Sequence, residues 1–274
     1  MQKINYKEHY YNNIEFLEAL LSGKGSIFSP ETIKSSFSFP HMNEYWNDEH
    51  FKSNNNPSNV GTVLNQELFS LNNNIRVLDM PIKFPNSSEY RIPEEISQFE
   101  GLIKQIANFE HSFNNKIDDL YCYITIDQKI VKQNEFTRKK GIHVDGFQGA
   151  RIPEPLIIDH SYIVSDIIPT VFYDQSFEVG HNWDKKCFDY FMGFEEQADE
   201  SKAFRFNPYE IALINAYCIH RADIVRQDTQ RTFFRMSYTV REFDRLGNAK
   251  NKMFDYDWEM VARDFRGDNT CKIS

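Results

Sequence analysis

After about residue 119 the chain changes its periodicity, and this change constrains the fold more than any other feature. Short runs rich in β-branched and aromatic residues follow one another at 121–126, 142–144, 162–164, 170–173, 211–217 and 231–240. Pro, Gly, Asp and Asn separate them at short intervals, which predicts antiparallel strands rather than βαβ units. Strands of this kind bury one face by closing into a sandwich or barrel. Hydrophobic content of 41%, with 24 Phe and 14 Tyr, supplies a large core and excludes wholesale disorder.

The preceding residues read differently. Residues 6–22 suit a helix ending at Gly23, and Ser29-Pro30 an N-cap followed by proline at the first helical position. The asparagine triplets at 54–56 and 72–74 mark loops. Pro93-Glu94-Glu95 opens the clearest helix, with Ile96, Phe99, Ile103, Ile106 and Phe109 on one face. There is no internal repeat and no linker-like stretch. The expectation is one α+β domain over 1–274: helical and irregular at 1–115, a β core at 116–245 and a C-terminal extension at 246–274.

Composition removes several function classes. The chain has 31 basic and 40 acidic side chains, a net charge of −9, the opposite of the Lys/Arg surplus that nucleic acid demands. Cys122, Cys187, Cys218 and Cys271 form no CxxC and no disulfide framework. No run approaches the ~18 apolar residues of a membrane span. The first nine residues lack the apolar segment of a secretory signal, so a cytoplasmic protein is expected.

The chemistry concentrates in Gly141-Ile142-His143-Val144-Asp145-Gly146-Phe147. On a strand, His143 and Asp145 point to one face. An imidazole and a carboxylate on a rigid face make two corners of a facial metal site, a geometry that suits octahedral Fe(II) with open positions. A third ligand must come from elsewhere, and His220 ends the apolar run before it. Downstream, Arg231, Phe233, Arg235 and Ser237 share one strand face. Arginines on an otherwise apolar strand are costly to bury without an anion, and a dicarboxylate held bidentately would supply one.

This HxD…H triad, followed by an arginine in an Arg-x-Ser frame, resembles the Fe(II)- and 2-oxoglutarate-dependent dioxygenase superfamily over about residues 119–241. The resemblance implies a mostly β core, a double-stranded β-helix (jelly roll, cupin-like), with the N-terminal helices packed on it. It implies Fe(II) on His143, Asp145 and His220, with 2-oxoglutarate and O₂ as cosubstrates. The far carboxylate of 2-oxoglutarate would rest on Arg235, with its partner Ser237, ahead of Arg231. Arg231 has the spacing from His220 seen in taurine dioxygenase-like and phytanoyl-type branches. Thr170 resembles a threonine that helps hold the cosubstrate. The implied activity is a hydroxylase, or a desaturase, that oxidises a small molecule such as an amino acid or specialised-metabolite precursor and releases succinate and CO₂. Asp145 separates this chain from halogenating relatives, which lack that carboxylate.

Two other classes use parts of the same pattern. A cupin-type metalloenzyme would employ the triad without 2-oxoglutarate, and a non-catalytic jelly-roll protein would bind a ligand without metal. Phe147, Phe172, Tyr173, Tyr217 and Phe233 flank the proposed ligands and are expected to wall a dry pocket. Lys139, Lys140 and Arg151 read as solvated charges, His160 as a turn residue, and His41 and His50 as solvent-exposed. The aromatic and acidic stretch 254–260 would pack on the barrel, cover its mouth or form a homodimer contact.

Overall fold

Antiparallel pairing accounts for every strand ladder in the computed structural model, which describes residues 2–5, 45–70, 74–145, 159–183 and 189–262. The expected helix at 6–22, the cap at Ser29, and His41, Phe147 and Arg151 lie outside the described residues. In chain order the elements are β1 (Gln2–Asn5), β2 (Ser58–Thr62), α1 (Glu67–Ser70), β3 (Arg76–Lys83), β4 (Glu89–Ile92) and α2 (Glu100–Phe113). Then come β5 (Tyr121–Val131), β6 (His160–Ser165), β7 (Val171–Tyr173), α3 (Asp189–Gln197), β8 (Ala203–Phe204), β9 (Glu210–Asn215), β10 (His220–Arg221) and β11 (Thr229–Thr239).

Two sheets organise the molecule. The larger has six strands in the order β2-β9-β6-β11-β5-β3, and the smaller has the order β10-β7-β8. Residue 143 bridges to β10 and so extends the smaller sheet by one position. From β5 onward the chain passes from one sheet to the other and back, with β6, β9 and β11 returning to the larger. Alternation along the strands assigns the faces. Tyr162, Val164, Leu213, Phe234, Met236 and Tyr238 turn to one side and join Phe99, Ile103, Ile106 and Phe109 in the main core. Ile163, Ala212, Ile214 and Phe233 turn to the other, towards Phe172 of the smaller sheet.

The helix expected after Pro93 is present, entered through a 3₁₀ turn at Glu94–Phe99. Its predicted apolar residues Ile96, Phe99, Ile103, Ile106 and Phe109 are all buried. Each contributes roughly 1.5–3 kcal/mol by leaving water. Two polar groups enter this core with partners. Glu110 accepts from Tyr162 Oη at 2.5 Å and from Asn114, and His160 Nε2 lies 3.0 Å from both of its oxygens. Burial opposes the charge of Glu110, but His160 and these hydrogen bonds outweigh it and hold the carboxyl below its usual range. His160 is therefore not a turn residue: it opens β6, fully buried, because the carboxylate pays for its desolvation.

The segment before residue 115, expected to be helical and irregular, also carries strands. β2 and β3 form the two edges of the larger sheet. Their period-2 signal is hidden by bulges, between Asn59 and Thr62 and between Val77 and Met80, and by Pro81 within β3. Edge strands tolerate such interruptions where central strands do not. The C-terminal stretch packs on the body, with Phe84 stacked on Phe254 at 4.4 Å and on Trp258 at 5.6 Å. No helix among the described residues is long and apolar enough to cross a membrane.

Candidate metal centre

His143 and His220 meet through their backbones. Each amide donates to the other's carbonyl at 2.9 Å, the reciprocal pair of an antiparallel bridge. Residues in such a pair project side chains to the same face, and the two imidazoles lie with ring centroids 4.5 Å apart. The segment 142–144 forms this bridge rather than the longer strand its composition predicts.

The tautomers follow from neighbouring carbonyls. His143 Nδ1 lies 2.9 Å from Gly141 O, and His220 Nδ1 lies 2.8 Å from Cys218 O. A carbonyl only accepts, so both Nδ1 atoms carry a proton, and in the neutral imidazole that leaves the lone pair on Nε2. Asp145 completes the group: one ligand atom from each of His143, Asp145 and His220 falls within 4.8 Å of the others. Two neutral imidazoles oriented by carbonyls and one carboxylate are the donor set that a divalent transition ion takes, with space for further ligands.

Charge keeps the carboxylate ionised. Burial pushes the Asp145 pKa up, but the Arg235 guanidinium, with Arg138 behind it, opposes this and holds the carboxyl below the usual range. Arg235 donates through Nη1 to Asp145 at 3.2 Å and through Nη2 to Asp79 at 2.7 Å. Asp79 sits in the β3 bulge with φ of 48°, a left-handed conformation that Asp adopts more readily than most residues. The bulge re-aims its side chain into the site, where Thr125 Oγ1 also donates to it at 2.9 Å.

A cavity of about 230 Å³ lies against the triad. All four β11 residues singled out in the sequence, Arg231, Phe233, Arg235 and Ser237, line it, as does Thr170. Arg231 is almost fully buried and donates to Ile167 O at 3.0 Å, Ser165 Oγ at 2.9 Å and Ile168 O at 3.2 Å. These bonds fasten the β6–β7 loop, where Ile168 is held at φ of 47°, a strained backbone for a β-branched residue. Ser237 shares a 2.8 Å hydrogen bond with Ser161 Oγ.

No protein-family model matches the chain, and no curated protein does. Several solved structures resemble it. A 2OG-Fe(II) oxygenase family oxidoreductase from Burkholderia pseudomallei is 11% identical over 68% of this chain and 79% of its own, with a TM-score of 0.35. AviO1 from Streptomyces viridochromogenes Tue57 is 9% identical over 70% and 92%, with a TM-score of 0.37. EvdO2 from Micromonospora carbonacea var. aurantiaca, solved with 2-oxoglutarate, is 13% identical over 72% and 93%, with a TM-score of 0.39.

Some expected residues stand elsewhere. Tyr173 and Tyr217 do not line the cavity; they join Phe51, Phe177 and Phe194 in a separate aromatic cluster. Tyr217 Oη accepts from the Asn47 amide at 2.9 Å, and Tyr173 Oη donates to Glu200 at 2.7 Å, so both buried hydroxyls have polar partners of their own. Phe172 approaches His220 at 6.2 Å between rings. His50 is half-buried against the Tyr217 ring at 4.9 Å rather than solvent-exposed. Lys139 reads correctly as exposed but also lines the cavity. Sequence reasoning missed Asp79 and Arg138. Asp79 is hidden by the bulge, and Arg138 lies in an irregular segment with no periodic frame.

Proposed function

We propose that the protein is an Fe(II)- and 2-oxoglutarate-dependent oxygenase that hydroxylates or desaturates a small molecule. The observation that carries this reading is the triad itself: two Nε2 lone pairs and an ionised carboxylate converging at one edge of an arginine-lined cavity. In this reading the passage of the chain between the two sheets is a double-stranded β-helix, and His143, Asp145 and His220 hold the ion. Fe(II), when bound there with the keto-acid end of 2-oxoglutarate, supplies oxygen activation coupled to decarboxylation.

The residues around it have separate tasks. Gly141 and Cys218 carbonyls keep the imidazoles in the ligating tautomer. Arg235, already bonded to Asp145 and Asp79, orients the carboxylate. These ion pairs favour Arg231, rather than Arg235, for the far carboxylate of 2-oxoglutarate. Four residues along a strand separate them by roughly 13 Å, and Arg231 has carbonyl and hydroxyl partners but no carboxylate within 4.0 Å among the described residues. Thr170 also lines the cavity, and Phe233 between the arginines limits water.

Anaerobic titration tests the proposal. Fe(II) and 2-oxoglutarate together should give a weak visible absorption band that neither gives alone, and His143→Ala should abolish it. A protein that binds Fe(II) without this band is a metalloenzyme of another kind.

A further inference from the structure

The cavity next to the triad is lined by more cations than its own acids neutralise. Six basic residues border it: Arg138, Lys139, Arg221, Arg231, Arg235 and Arg245. Arg221 is turned to Glu200 at 2.8 Å and Asp223 at 3.3 Å. Arg235 is matched by Asp79 and Asp145, and the third lining acid, Asp159, is taken by Arg241 at 2.7 Å. Lys139 and Arg245 are not without partners. Arg231 is fixed by carbonyls and Ser165 and, on the reading above, receives the far carboxylate of 2-oxoglutarate.

Arg138 is left over. Its guanidinium lies 4.1 Å above the Phe233 ring, on the same ring that Arg231 approaches at 5.5 Å. Stacking on an aromatic face holds the fork flat and leaves its N–H edges for a planar, bidentate acceptor. Among the described residues it has no ion pair and no hydrogen bond. Burial, and next the charge of Arg235, push its pKa down to about 10 against the pull of Asp127, Asp145 and Asp79, none of which pairs with it directly. With the metal, Asp145 and the keto-acid carboxylate mutually neutral, and Arg231 matched by the far carboxylate, one positive charge at Arg138 still faces the cavity. The reactant not yet placed is the one to be oxidised.

We infer that the primary substrate is a small carboxylate anion and that its carboxylate docks on Arg138. This rests on the oxygenase reading for the assignment of Arg231, but the anion site itself does not. Arg138 is then a specificity residue: it turns the substrate carboxylate to one end of the cavity and leaves the rest of the molecule beside the triad. A neutral analogue, such as the corresponding amide, offers no charge and leaves the guanidinium unmatched.

The experiment uses full-length protein labelled with [15N]arginine and loaded with Zn(II), a diamagnetic stand-in for Fe(II). Arg138→Lys and Arg231→Lys variants assign the two Nε–H resonances. The expected result is that 2-oxoglutarate shifts the Arg231 resonance, and that acetate then shifts the Arg138 resonance saturably while acetamide does not. Arg138→Gln should lose the acetate response and keep the Arg231 response to 2-oxoglutarate. If 2-oxoglutarate alone moves Arg138 and acetate adds nothing, Arg138 belongs to the cosubstrate clamp and the inference fails. If acetate moves neither resonance, it fails as well. If Arg231 ignores 2-oxoglutarate while Arg138 answers acetate, the cosubstrate reading falls and the anion site stands.

Discussion

Arg235 donates to Asp145 at 3.2 Å, so an arginine of the larger sheet is bonded to the carboxylate that completes the histidine pair. Its other arm holds Asp79 at 2.7 Å. Both carboxylates are mostly buried, with side-chain exposures of 10% and 22%. Arg235→Leu strips their cation, and breaking a buried pair from one side typically costs about 3–5 kcal/mol. The double variant Arg235→Leu/Asp79→Leu should recover part of that loss. Urea denaturation of the three proteins measures it, and equal stability of wild type and Arg235→Leu would contradict the arrangement.

Metal should stabilise the fold through the triad. At a hundredfold excess over the dissociation constant, a ligand specific to the native state adds about 2.7 kcal/mol. Mn(II) should therefore raise the melting temperature of the wild type. His143→Ala and His220→Ala should remain folded, because the bridge between these residues is made by their backbones, and should lose the metal-induced rise.

Arg231→Ala should separate cosubstrate binding from metal binding. Truncating one partner of a buried, hydrogen-bonded charge pair costs about 2–5 kcal/mol, so 2-oxoglutarate should bind at least ~30-fold more weakly. The Mn(II)-induced rise in melting temperature should persist. Isothermal titration with 2-oxoglutarate reads the first effect, and thermal melting with and without Mn(II) reads the second.

Lys83 gives a pH signature. Its side chain is fully buried, donating to Leu120 O at 2.7 Å and to Phe84 O and Asp118 O at 3.3 Å. Burial lowers its pKa from 10.5 to about 8. Between those values the unfolded chain holds a proton that the folded chain has released, so this contribution to stability rises with pH across that window. Below pH 8 the folded state carries the full cost of the buried charge, about 3 kcal/mol at 1.36 kcal/mol per pH unit. Buried tyrosines and cysteines pull stability the other way at high pH, so the wild type must be compared with Lys83→Met. The difference between the two should move in favour of the wild type by about 3 kcal/mol from pH 8 to 10.5. A constant difference would refute it.

The sequence carried the centre of the molecule better than its edges. β11 alternates cleanly, so the common cavity face of Arg231, Phe233, Arg235 and Ser237 could be read directly from spacing. The helix after Pro93 announced itself through its stripe. β2 and β3 did not, because bulges break the period on which recognition depends. The same bulge hid Asp79, whose part in the site depends on one backbone angle rather than on any pattern. Tyr173 and Tyr217 were misplaced for the opposite reason: proximity in sequence to His220 and its paired strand says nothing about the face on which a side chain leaves the sheet.

The bridge between His143 and His220 also fixes when the site comes into being. The two histidines are distant in sequence and are brought together only by backbone pairing across the smaller sheet. Closing so long a loop is entropically costly and slow, and it follows local structure rather than leading it. A growing or half-folded chain thus holds at most the His143–Asp145 fragment and has little grip on a redox-active ion. On the proposed oxygenase reading, iron would be admitted only once the surrounding walls are in place, so that folding order itself would keep a reactive metal away from an unprotected polypeptide.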